Sequence, residues 1–297
     1  MILTEVIQYA RRVLGSVRKV RFSNEPMIDI QDRLALLTVV SGLRTIAAFG
    51  FAEKENGGRL ETLRGILTSQ GLNCLVTKQI RHRTNEHLTP GIGDLVKVFD
   101  RVDTESYSRD SGRLLWVSRN SEHEEQIKKA VDRQVEVGVL LGYPACCVEH
   151  HQTVGSNFER AFAAAIIAAV GKESSAVERA LLEDLKVEIP GDPTDNENMR
   201  RTDDLYPFVF HVSCNACLSS DSSPTASLNR EYDALARQYE RAFHALFREM
   251  AKTGVQIGQL ISEAEKKNLR PNELTEPFRS QLRDLFDLRD RIYARFF

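Results

Sequence analysis

Four of the chain's five cysteines lie in two short segments, and residues able to do soft-metal chemistry are concentrated there. The first segment is Leu140-Leu141-Gly142-Tyr143-Pro144-Ala145-Cys146-Cys147-Val148-Glu149-His150-His151. The second, about seventy residues on, is His211-Val212-Ser213-Cys214-Asn215-Ala216-Cys217. Thiolate and imidazole are the donors that zinc and iron–sulfur clusters take. The pattern predicts that the two segments meet and build one metal or iron–sulfur site. Its candidate ligands are Cys146, Cys147, Cys214 and Cys217, with His150, His151 and His211 as candidate catalytic acids or bases.

Local context sharpens the first segment. Gly142 fits a helix end, and Pro144 fits the first position of the next helix. Cys146 and Cys147 then fall in a first helical turn, near unpaired N–H groups and the positive end of the helix dipole, where thiolates are favoured. His150 is four residues from Cys146 and three from Cys147, and His151 is four from Cys147, so these side chains are neighbours on a helix. Adjacent cysteines diverge by about 100° on a helix, so Cys146 and Cys147 need not serve the same ion. The Cys-x-x-Cys spacing of the second segment is common in zinc and iron–sulfur sites. A thioredoxin-type redox pair is disfavoured, because the βαβ context it needs is missing.

The elements that must position these residues are mostly helical. Apolar residues recur at helical spacing over residues 2–17, and again from Asp29 or Asp32 through Leu43 and over 60–67. The basic end of the first helix, Arg11, Arg12, Arg18 and Lys19, reads as a solvated face. Three runs, Cys74–Thr77, Asp94–Phe99 and Arg113–Ser118, have strand character and predict a small sheet holding a buried Cys74. The polar loop 81–87, which holds His82 and His87 and gains charge from Arg81 and Arg83, is a candidate for anion binding. A helix is predicted from Ser121 toward Leu141, and others over 156–170, where an alanine-rich sequence predicts burial, and 175–187. Residues 189–198 read as a long connection, with a lid as the other reading. Ser223 and Pro224 fit the N-cap and first position of a long helix whose apolar stripe runs from Leu228 to Met250. His244 beside it reads as a packed histidine, and a last helix opens at Thr275-Glu276-Pro277.

Composition bounds the function. Charge is nearly balanced, with 40 basic and 42 acidic residues, so no global field points to nucleic acid or to an anionic membrane. The longest apolar run, Ala161 to Val170, is far short of the roughly 20 residues a spanning helix needs. With Glu5 where a signal peptide is basic, the expectation is a cytoplasmic protein, in which paired cysteines bind metal or do chemistry more often than they form disulfides. The apolar end, Ile292 to Phe297, packs within the fold or contributes to a homodimer interface, intramolecular packing being the simpler expectation.

The segments Leu141-Gly142-Tyr143-Pro144-Ala145-Cys146-Cys147, His211-x-x-Cys214-x-x-Cys217 and Ser223-Pro224-Thr225, with Tyr232 on the following helix, resemble the proteins grouped as domain of unknown function 483. The resemblance spans residues 110 to 240. It implies a site built from these segments and carries no reaction with it.

The expected architecture is α+β and predominantly helical. An N-terminal α+β region over 1–120 precedes a helical region over 121–297 that carries the Cys/His site, one continuous domain being the other reading. Three functional readings follow. The first is a [4Fe–4S] enzyme in which Cys147 (or Cys146), Cys214 and Cys217 hold the cluster and one iron stays open to a small-molecule substrate, suited to sulfur transfer or removal. The second is a Zn²⁺ site of cysteines with His150, His151 or His211, structural if four ligands close it and catalytic if one position is open. The third is metal-free thiol chemistry, or cysteines that are simply buried.

Overall fold

The structure, a computed structural model, describes residues 3–19, 21–22, 25–26, 28–51, 58–78, 92–102, 112–133, 137–183, 193–266 and 275–296. The His82–His87 loop lies outside them. The fold is α+β and mostly helical, with one three-stranded antiparallel sheet. Among the described residues no helix is long and apolar enough to cross a membrane. The chain divides into two compact units, residues 45–195 and residues 1–44 together with 196–297.

The unit of residues 45–195 is built on the sheet. Strands β3 (Ile46–Phe51), β4 (Asn73–Lys78) and β5 (Arg113–Ser118) run in the order β3-β5-β4, with α3 (Arg59–Ser69) linking β3 toward β4. (β1, Arg21–Phe22, and β2, Glu25–Pro26, form a two-residue hairpin in the other unit.) Alternate residues face opposite sides of a sheet. The register aligns Ala48, Trp116 and Leu75 on one face, and Ala47, Val117 and Cys74 on the other. The Trp116 face packs on Ile127 of α4 (Glu122–Arg133) and on Val137 and Leu140 of the short α5 (Val137–Leu140). Trp116 meets its polar need by donating Nε1–H to Thr77 Oγ1 at 2.9 Å. The alanines and glycine of β3 are poor strand formers and give no strand signal; pairing with the central strand β5 overrides that preference.

Residues 94–99 correct an expectation. They form no strand but continue a 3₁₀ turn (Gly93–Leu95) helically to residue 102. Ile92, Leu95, Val98, Phe99 and Val102 are all buried, against Ala163 and Ile166 of α6 (Ala145–Val170) and Val177 and Ala180 of α7 (Ser174–Leu182). Their i, i+3, i+6, i+7, i+10 spacing is helical and only becomes visible beyond a six-residue window. Helix α6 is also longer than expected, running unbroken through Gly155 for 26 residues. Its alanine-rich half is less buried than expected: Ala163 and Ile166 are buried, whereas Phe158 is 48% exposed.

The second unit holds α1 (Leu3–Arg18), α2 (Ile30–Ser41), most of α8 (Pro193–Leu205), the one-turn α9 (Asn215–Leu218), α10 (Pro224–Tyr239), α11 (Arg241–Lys266) and α12 (Glu276–Phe296). Asp29 caps α2, its carboxylate accepting from the Asp32 N–H at 2.7 Å. Helix α8 occupies much of the stretch expected to be a connection or lid. The stripe from Leu228 to Met250 is interrupted, because Glu240 is extended (φ −162, ψ 120) and separates α10 from α11. The break exposes the Tyr239 carbonyl, and Arg11 forks onto it through Nε at 3.2 Å and Nη2 at 3.1 Å. Arg33 donates to Tyr239 Oη at 3.1 Å and lies over the Phe243 ring. His244 is half-buried, stacked on Phe208 and 2.7 Å from Asp233 Oδ1, a packed histidine as expected.

Candidate metal centre

Cys146 and Cys147 owe their placement to a tight helix–turn–helix. The α5 helix ends on Gly142, whose φ of 75° is the left-handed conformation that favours glycine. Tyr143 N–H returns to the Gly138 carbonyl at 3.0 Å. Pro144 is the N-cap of α6 rather than its first residue, and its carbonyl accepts from Cys147 N–H at 2.9 Å and Val148 N–H at 3.1 Å. Cys146 and Cys147 are therefore the second and third residues of the helix. Cys147 is buried at 2% exposure and Cys146 is exposed.

This turn depends on close packing at Gly138. A β-carbon there would stand 2.8 Å from Val148 Cγ2, next in the chain to Cys147. Valine has few rotamers in a helix with which to yield. Gly138→Ala is therefore expected to lose about 1–3 kcal/mol of stability by overpacking, read as a lowered urea midpoint at unchanged slope.

The second pair is held by hydrogen bonds from generic residues. Cys214 is the N-cap of α9 and Cys217 its third residue; both are buried, at 6% and 1% exposure. The Ser213 N–H donates to Thr202 Oγ1 at 2.9 Å, and Thr202 in turn donates to the Asn198 carbonyl at 2.7 Å. The Tyr206 hydroxyl donates to the Cys217 carbonyl at 3.0 Å, while Phe208 N–H donates to Asn229 Oδ1 at 3.0 Å. Tyr206, Leu218 and Ala226 form a small core beneath the turn. Ser223 caps α10 as expected, accepting from Ala226 N–H at 3.2 Å. Buried Tyr232 packs on Phe210 with ring centroids 5.7 Å apart. Thr202, Tyr206 and Asn229 were not singled out from the sequence, since their types carry no metal signal.

The four sulfurs of Cys146, Cys147, Cys214 and Cys217 lie within 4.8 Å of one another. No disulfide links the cysteines. Among the described residues this is the one group of three or more Cys, His, Asp or Glu donors arranged to hold a metal ion. Four thiolates around one zinc at about 2.3 Å stand about 3.8 Å apart at the corners of a tetrahedron. The observed separation needs only small side-chain adjustments to reach that figure. In a cubane each cysteine binds a different iron, which sets the thiolates on a larger tetrahedron. The four cysteines are thus close enough to hold a metal ion.

The histidines and Cys74 fall outside this group. His150 is half-buried on the second turn of α6 and His151 is exposed. His211 lies within 3.1 Å of Thr225 Oγ1. Burial, and secondarily the Arg44 charge, push its pKa down from the usual 6.5 to about 4. The unfolded chain therefore takes up a proton between pH 6.5 and 4 that the folded one resists, and stability falls as pH drops through that window. At most about 3 kcal/mol is lost to this group. In chelator-treated protein, His211→Gln is expected to flatten that slope in denaturation curves taken from pH 7 to 4. Cys74 is half-buried on the sheet face opposite Trp116, its thiol pKa raised by burial against a hydrogen bond to Thr68. No protein-family model, curated protein or solved structure matches the chain.

Proposed function

We propose that Cys146, Cys147, Cys214 and Cys217 hold one metal ion, zinc being the ion such a donor set favours, and that the ion is structural. The observation that carries this is the approach of four sulfurs to within 4.8 Å. Four thiolates complete a tetrahedral shell and leave no position for substrate. The resemblance to domain of unknown function 483 belongs to this proposal, because the residues that carry it are the same.

A second reading is favoured by one feature, the exposure of Cys146 beside three buried cysteines. Cys147, Cys214 and Cys217 would then be the ligands of a [4Fe–4S] cluster, with the fourth corner facing solvent. Such a cluster supplies an open iron, a Lewis acid suited to sulfur transfer or removal on a small molecule. His150, on the same helix as Cys147, would serve as the proton carrier of that enzyme.

Anaerobic purification followed by zinc, iron and acid-labile sulfide analysis tests both. One zinc per chain without sulfide supports the structural site. Iron matched by sulfide, with a broad absorption at about 400 nm, would replace it with the cluster enzyme.

A further inference from the structure

We infer that the Ser213 hydroxyl is held in reserve as a hydrogen-bond donor to a thiolate of the loaded Cys214–Cys217 turn, and that it tunes metal affinity without being a ligand. This rests on the metal reading above. Ser213 is 0% exposed, yet its Oγ has no hydrogen-bond partner. A buried hydroxyl left unmatched bears its full desolvation cost, and native proteins keep few such groups. Its backbone is satisfied, the N–H donating to Thr202 Oγ1 at 2.9 Å, so the residue is anchored while its side chain is not.

The next residue in the chain is Cys214. A neutral thiol is a weak acceptor. Metal binding requires the deprotonated sulfur, and a charged sulfur is a far stronger acceptor. The missing partner of Ser213 therefore arises when the site fills. Four thiolates on one divalent ion also leave an excess of two negative charges, which a buried O–H donor partly offsets. A serine side chain has three staggered rotamers among which its hydroxyl can turn toward a new acceptor.

The test is Ser213→Ala in the full chain, with three readouts. Zinc affinity by chelator competition is expected to fall about tenfold. The thermal midpoint of metal-free protein is expected to hold or rise, because an unmatched hydroxyl has been removed. In the cobalt-loaded protein the thiolate-to-cobalt charge-transfer band is expected to move to longer wavelength, since a sulfur without its hydrogen bond gives up an electron more readily. Unchanged affinity with an unmoved band would overturn the inference. So would a metal-free midpoint that falls in step with affinity, the mark of a packing role. If the unaltered protein takes up neither zinc nor cobalt, the metal site itself has failed and the inference falls with it.

Discussion

Cys217→Ala is expected to abolish stoichiometric zinc binding, whereas Cys146→Ala is expected to weaken it and leave a bound ion. Cys217 is 1% exposed and its backbone is pinned by Tyr206, so no water or other donor can take its place without rearranging the α9 turn. The variant would also leave three thiols crowded around an apolar methyl group. Cys214→Ala and Cys147→Ala belong with it, both positions being buried. Cys146 is exposed, so a water molecule can fill its corner once the sulfur is gone, as in the open zinc sites formed by three protein ligands. Chelator competition on the four single variants separates the cases: three without measurable binding and one with a finite, weaker constant. Cys74→Ala is the control, and metal content there should match the unaltered protein. Equal loss in all four variants would show that exposure does not set the order.

Stripping the ion with a strong chelator is expected to lower the thermal midpoint by about 10 °C. Ligand binding to the folded state adds RT ln(1 + [L]/Kd), and zinc held by four thiolates supplies several kcal/mol at micromolar free metal. The effect should also depend on pH. All four sulfurs must lose protons to bind, so the midpoint difference between loaded and stripped protein should shrink as pH falls below neutrality. Differential scanning calorimetry with and without chelator, at pH 7.5 and 6, reads both. A midpoint that ignores the chelator at both values would contradict a structural role.

What could be read from the sequence was local or chemical. Asp29, Gly142 and Ser223 mark helix ends through interactions within a few residues, and each lies where its type predicts. The four site cysteines stand out by type and pairing. The polar residues that fix the second pair did not stand out, because Thr202, Tyr206 and Asn229 act through partners 11 or more positions away. Residues 94–99 taken alone have strand character, and their helical period emerges only over 92–102. The choice between one ion and a cluster depends on how closely the sulfurs approach, which is a tertiary quantity. Helical geometry alone left Cys146 and Cys147 pointing about 100° apart; the structure brings both into the group and differs only in their exposure.

The most direct test of the central claim is X-ray absorption at the metal edge of protein purified without oxygen. A single ion held by Cys146, Cys147, Cys214 and Cys217 predicts one shell of four sulfurs at about 2.3 Å and no metal–metal scattering. A metal–metal contribution in the outer shell, with sulfur counts that include inorganic sulfide, would contradict it and establish a cluster.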